Sequence, residues 1–197
     1  SCGRWTPLKF IREFIDQSRG ELRRMAARTS IASPYQHGQI IGRQHRIAVV
    51  PTQMVEKPSA VIRGRHIIVK LPPAYALEDG AVQQQIRDAV GRTLRKEAKQ
   101  LLPPLLAKLA AQYSFRYARV RFSHAGSRWG SCSSAGTISL NIALMKLPDE
   151  LIRYVLIHEL CHTRHMNHST AFWREVERYD PHYRTHRQQI KHHTPVL

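Results

Sequence analysis

Val155-Leu-Ile-His-Glu-Leu-Cys-His162 decides how the rest of the sequence is read. Its apolar residues surround His158, Glu159 and His162 in the spacing H-E-x-x-H. On a helix, four residues make about 1.1 turns, so His158 and His162 project from one face and their imidazoles can grip a single ion. Glu159 flanks that face, where a carboxylate that is not itself a ligand can serve as general base for water activated by the metal. The five-residue pattern also arises by chance. Here Asn167-His168-Ser169 follows at once and places a third imidazole six residues after His162. Two imidazoles and a carboxylate on an apolar helix are costly to bury without a partner, and a metal supplies one. Together these observations predict a zinc site of His158, His162 and His168 with Glu159 as catalytic residue.

The third ligand has two rivals. His165 would overshoot by about 4.5 Å along the axis if the helix continued one turn past His162. Glu175, from the next helix, has only thirteen residues after His162 in which to turn and approach. A helix ending near Asn167, with Ser169 capping the next one, aims His168 back at the metal.

The helix around this motif is apolar nearly all round, with Leu151, Ile152, Val155, Leu156, Ile157 and Leu160, and so is expected at the centre of the fold. Pro148 opens it, and Asp149 and Glu150 complement its dipole. Upstream, Val82, Ile86, Val90, Leu94 and Ala98 recur at spacing four, predicting a long helix over 78–101. Pro103-Pro104 is expected to interrupt it before a second piece, Leu105–Tyr113. The stretches Ile40-Ile41, Arg46–Val50, Ala60–Ile62 and His66–Lys70 read as short antiparallel strands, with Arg63-Gly64 as a hairpin turn. Residues 116–122 and 137–141 read as a second, hairpin-like pair, and the glycine-rich linker between them as an edge strand or irregular loop. Residues 8–28 read as an amphipathic helix.

The chain of 197 residues carries 31 Lys and Arg against 14 Asp and Glu, a net charge of +17. Such an excess favours an anionic partner, nucleic acid or acidic protein, or else marks a merely basic soluble protein, and charge alone does not choose. Three dispersed cysteines, Cys2, Cys132 and Cys161, read as free thiols in a reducing compartment. No apolar run approaches a membrane span and no leader is evident, so the expected location is cytoplasmic and no membrane partner is expected. Trp129 either lines a substrate cleft or fills the core. Cys132 reads as a packed thiol rather than an inhibitory ligand, and Cys161 as core filler. His124, His182, His186, His192 and His193 read as solvated surface residues.

Read together, Ser127-Arg-Trp-Gly-Ser-Cys132, Thr137-Ile-Ser-Leu-Asn141, His158-Glu-Leu-Cys-His162 and Asn167-His-Ser-Thr-Ala-Phe-Trp173 resemble the YgjP-like metallopeptidases, relatives of the SprT-like and Spartan proteases. The likeness is tightest over residues 101–178. It implies an α+β fold, a compact minimal zincin of gluzincin-like type. Its parts would be an active-site helix, a supporting helix and a small antiparallel sheet with an edge strand, plus an N-terminal helix and β-lobe. The division implied is residues 1–76 for the N-terminal helix and β-lobe and 77–197 for the peptidase domain. Zn2+ is the implied cofactor and a protein or peptide the implied substrate. Arg128, Trp129, Gly130 and Ser131, on the edge strand, are the candidate substrate-binding residues. In SprT-like relatives a histidine followed by a small residue and an aromatic completes the zinc site, and His168 to Phe172 fits that pattern. Two other readings stay open: a basic nucleic-acid-associated protein with structural zinc, and a SprT-like protease acting on proteins bound to DNA.

Overall fold

The longest element of the computed structural model, which describes residues 34–197, is helix α1 (Gly80–Gln112). Its stripe Val82, Ile86, Val90, Leu94 and Ala98 is at most 1% exposed and runs on through the equally buried Leu102, Leu106 and Leu109. That continuity overturns one expectation, since Pro103 and Pro104 lie inside a single helix instead of dividing two. A proline removes one N–H and crowds the carbonyl four residues back. Here those carbonyls belong to Lys99 and Gln100, both exposed, so water can satisfy them while the buried leucines hold the axis.

Two small sheets pack on α1. The first contains β1 (Ile40–Ile41), β2 (His45–Pro51), β3 (Ser59–Arg63) and β4 (His66–Leu71) in the order β1-β2-β4-β3. The expected strands all form, and Gly64 supplies the positive φ of 55° at the β3–β4 turn. The expectation of wholly antiparallel pairing is corrected. β2 and β4 run parallel, with Ile47 opposite Ile67 and Val49 opposite Val69. Residues 52–58 carry the chain past the place of β4, and the hairpin then returns β4 between its neighbours. The second sheet contains β5 (Arg119–Ser123), β6 (Gly130–Cys132) and β7 (Thr137–Asn141) in the order β5-β7-β6. β5 and β7 are parallel partners and not arms of a hairpin, whereas β6 pairs antiparallel with β7 and is an edge strand. Alternating side chains fix which face turns inward and say nothing about strand direction, so both sheets are mixed where antiparallel ones were expected.

A 3-10 turn, Ile142–Lys146, leads into α2 (Asp149–Cys161), followed by α3 (Thr170–Tyr179), α4 (Tyr183–Gln189) and a last 3-10 turn, Ile190–His192. Pro148 opens α2, with Asp149 and Glu150 in its first turn, and Ser169 caps α3 by accepting a hydrogen bond from the Phe172 N–H. The architecture is the expected α+β one: a buried central helix, a supporting helix, a small sheet with an edge strand, and a β-lobe. Residues Ser33–Leu197 form one compact unit, inside which the expected division after residue 76 falls. The helix expected over 8–28, and Cys2, lie outside the described residues. Among the described residues no helix is long and apolar enough to cross a membrane.

One buried carboxylate ties the parts together. Glu97 of α1, 4% exposed, accepts hydrogen bonds from the backbone N–H groups of Arg43 (2.8 Å) and Gln44 (3.2 Å), and His45 Nδ1 lies 2.6 Å from it. Arg43 then reaches the start of α2, donating to the Leu147 carbonyl at 2.8 Å and pairing with Asp149. Gly42 makes this possible: its φ is +59°, and a Cβ there would stand 2.1 Å from Glu97 Oε2. Gly38, at φ +78°, has open space around it. Gly38→Ala should therefore cost only the conformational penalty of about 1–2 kcal/mol, whereas Gly42→Ala must also displace the carboxylate. We expect a clearly larger drop in the urea midpoint for Gly42→Ala, with the slope unchanged. Equal drops would show that the Glu97 contacts do not tie α1 to the β1–β2 turn.

Candidate metal centre

His158 and His162 stand a turn apart on α2, which ends at Cys161 with His162 as its cap. The helix thus stops six residues short of Asn167, where the sequence placed its end. The last carbonyls are satisfied at once: the Thr163 N–H bonds to Leu160, and those of Arg164 and His165 both bond to Cys161. The chain can then fold back and return His168 to the imidazoles of α2. His162 Nδ1 lies 2.9 Å from the His165 carbonyl. A carbonyl only accepts, so Nδ1 carries the proton and Nε2 keeps a free lone pair.

His158 Nε2 is 3.2 Å from His162 Nε2 and 3.1 Å from His168 Nε2, and the three possible ligand atoms all lie within 4.8 Å of one another. Two nitrogens bound at 2.0–2.1 Å to one tetrahedral ion are separated by about 3.3 Å. Burial, helped by His162, His168 and Arg187, pushes the His158 pKa down to about 3, so its imidazole is neutral, as a ligand must be. The three side chains thus fit a metal ion.

Aromatic packing fixes these rings. Phe172, fully buried, meets all three imidazoles with centroids 4.5–4.9 Å away. Trp173 stacks on His168 at 5.4 Å and on Tyr183 at 5.5 Å, and the Arg187 guanidinium lies 4.4 Å from its centroid. Phe172 and Trp173 stand in the sequence within the motif Asn167–Trp173 that carries the family resemblance. Tyr183 and Arg187, in a basic tail without clear periodicity, were not singled out there. His165 and Glu175, the rival third ligands, face each other, with His165 Nε2 2.7 Å from Glu175 Oε2 and Arg164 paired with the same carboxylate.

Glu159 is 4% exposed, and its Oε2 is buried without a hydrogen-bond partner. Burial pushes its pKa up to about 8, with the nearby Arg128 pulling the other way. The backbone of β6 presses on this carboxylate, since a Cβ on Gly130 would sit 2.6 Å from Glu159 Oε1. Asn141, fully buried, holds the loop before β6: its amide donates to the carbonyls of Ala125 (2.7 Å) and Arg128 (2.9 Å), and its oxygen accepts from the Ala143 N–H. A cavity of about 190 Å3 opens beside Glu159, lined by Trp129, Gly130, Tyr154, Val155, His158 and Ile190. Of the four candidate substrate-binding residues, Trp129 and Gly130 line it. Arg128 is exposed and acts on Glu159 through its charge, while Ser131 pairs with Ser139 within the sheet. Tyr154 and Ile190 were not singled out in the sequence, although Tyr154 lies one helical turn before His158. Burial and the charge of Glu159 push the Cys132 thiol up to about 11, and burial pushes Cys161 up to about 12, so both remain thiols. His186 is not simply solvated, because its Nδ1 lies 2.7 Å from the buried Asp180.

A family model described as YgjP-like, metallopeptidase domain, matches residues 1–193. Among solved structures, the crystal structure of the metallopeptidase zymogen abylysin of Pyrococcus abyssi is 30% identical. It matches over 46% of this chain and 91% of its own, with a TM-score of 0.42. The metallopeptidase zymogen jannalysin of Methanocaldococcus jannaschii is 19% identical over 45% of this chain and 92% of its own, with a TM-score of 0.40. No curated protein matches the chain. With the family model spanning nearly its whole length, the chain belongs to the YgjP-like metallopeptidase family.

Proposed function

We propose that the chain is a zinc-dependent peptidase in which His158, His162 and His168 hold the ion and Glu159 is the general base. Family membership makes a peptidase that uses a divalent metal, typically zinc, the frame for this reading. The observation that carries it is the convergence of three imidazole nitrogens beside a buried carboxylate with an unpartnered oxygen. When bound, zinc supplies Lewis acidity that polarises a carbonyl and brings the pKa of water toward about 7.

The rest of the chemistry falls to the protein. His162 keeps Nε2 free by donating a hydrogen bond from its Nδ1–H to the His165 carbonyl, and Phe172 and Trp173 hold the rings in place. Glu159 has an oxygen with no other partner and a pKa raised to about 8, which suits a group that takes a proton from water and passes it to the leaving amine. Gly130 and Trp129 border the same space, so the edge strand β6 is where an extended substrate would lie. A structural zinc site favours a closed shell of four protein ligands. Among the described residues this group has three, which favours the enzyme over the structural-zinc alternative.

A second reading concerns partners. A concavity of about 510 Å3 is bordered by Arg87, Arg92, Arg95 and His124, with Asp88 the acid among them. With the net charge of +17, it favours loose binding of nucleic acid, as in a protease that reaches its substrates on DNA.

Glu159→Gln should keep about one equivalent of zinc and lose about 10²–10⁴-fold in kcat, measured by metal analysis and peptide hydrolysis. Loss of the zinc would make Glu159 a ligand instead. His168→Ala should weaken zinc by more than the roughly 10–100-fold typical of losing an outer-sphere partner, while His165→Ala and Glu175→Ala hold the metal against a chelator. Retention of DNA on the protein at low salt should fall steeply with ionic strength, and less steeply after Arg87, Arg92 and Arg95 are changed to Gln. Salt-insensitive retention would leave the charge to another cause.

A further inference from the structure

The cavity beside Glu159, about 190 Å3, is less than half the volume of the concavity of about 510 Å3 bordered by Arg87, Arg92 and Arg95. That is room for one side chain rather than for a folded segment. Its ionisable walls are His158 and Glu159, committed in the reading above to the ion and the proton, and Tyr154, whose hydroxyl burial pushes up to about 12 and so keeps neutral. The remaining surface comes from Trp129, Val155, Ile190 and Gly130. Any charged side chain placed there would lose its hydration, and a basic one could pair only with Glu159, tying up the oxygen that serves as proton acceptor. An acidic one would also face the Glu159 carboxylate. An apolar side chain would simply leave water.

Ile190 differs from the other walls in origin. It begins the last 3-10 turn, just after α4, and is half-buried, whereas Tyr154, Val155, His158 and Glu159 all belong to α2. The segment that carries Ile190 is anchored by Tyr183 and Arg187 on Trp173, so its place relative to α2 is fixed by packing. On the other side, Trp129 and Gly130 bring the edge strand to the cavity, and side chains of an extended chain along that edge alternate toward and away from it.

We propose that this cavity receives one apolar side chain from a substrate residue next to the scissile bond, and that Ile190 sets the size it accepts. The assignment rests on the peptidase reading given above. It makes the substrate class polypeptides with an aliphatic residue at one fixed position beside the cut. Shortening Ile190 opens the subsite to larger rings, and enlarging it restricts the subsite to small residues.

The test is to digest a peptide library with the zinc-loaded full chain and to map the cut sites by mass spectrometry. Wild type should show Val, Leu, Ile or Met enriched at one position flanking the cut, with Asp, Glu, Lys and Arg depleted there. Ile190→Ala should shift that same position toward Phe, Tyr and Trp by about tenfold or more relative to Leu, and Ile190→Phe should shift it toward Ala. Val155→Ala is the second enlarging variant should an Ile190 variant not fold. No apolar bias at either flanking position, a bias for Lys or Arg, or identical profiles in wild type and variants would overturn the assignment while leaving the peptidase reading intact. Zinc-loaded wild type that cuts nothing in the library would bring down both.

Discussion

Neutral imidazole nitrogens 3.1–3.2 Å apart repel one another through their lone pairs unless a proton or a cation stands between them, and the centre of this protein is arranged around that constraint. His158 Nε2 stands at this spacing from both of the other nitrogens, brought there by two different devices. The regular helix α2 sets His158 and His162 one turn apart, and an abrupt stop at Cys161 returns His168 to them. The Nδ1–H of His162 donates outward to the His165 carbonyl, and the rings are held from behind by Phe172 and from the side by Trp173. Such packing costs conformational freedom and burial of polar groups, and a bound cation offsets that cost.

Two buried glutamates show how the fold separates support from chemistry. Glu97 is surrounded by donors from residues 43–45, so its charge is spent on joining α1 to the β-lobe and, through Arg43, to the start of α2. Glu159 is buried to the same degree, but its Oε2 has no hydrogen-bond partner and β6 approaches it at a glycine. Burial raises the pKa of Glu159 and leaves it the stronger base. On the peptidase reading proposed above, the setting of Glu159 suits a proton acceptor, while that of Glu97 suits a joint.

The sequence made some of this legible and not the rest, for physical reasons. Helical periodicity marked the stripe from Val82 to Ala98 and the apolar α2, because burial of one face imposes that spacing. It misjudged Pro103 and Pro104, since the local penalty of proline is outweighed when the apolar stripe continues beyond it and the freed carbonyls face water. Strands were found but their directions were not: alternation records sidedness, while the parallel pairing of β2 with β4 and of β5 with β7 depends on the path of the connections. At the site, the spacing of His158, Glu159 and His162 was readable because a helix turns it directly into geometry. Ile190, Tyr183 and Arg187 reach the centre through tertiary packing of a short helix whose composition resembles a solvated tail, so no local pattern announced them.

The central claim is that three imidazoles and no other side chains hold a single zinc ion. X-ray absorption at the zinc edge, combined with anomalous diffraction from crystals of the zinc-loaded protein, tests it most directly. The account predicts one ion about 2.0–2.1 Å from Nε2 of each of His158, His162 and His168, with Glu159 outside bonding distance and His165 and Glu175 still facing each other. An ion held by Glu175, His165 or a cysteine sulfur, with His168 turned away, would contradict it.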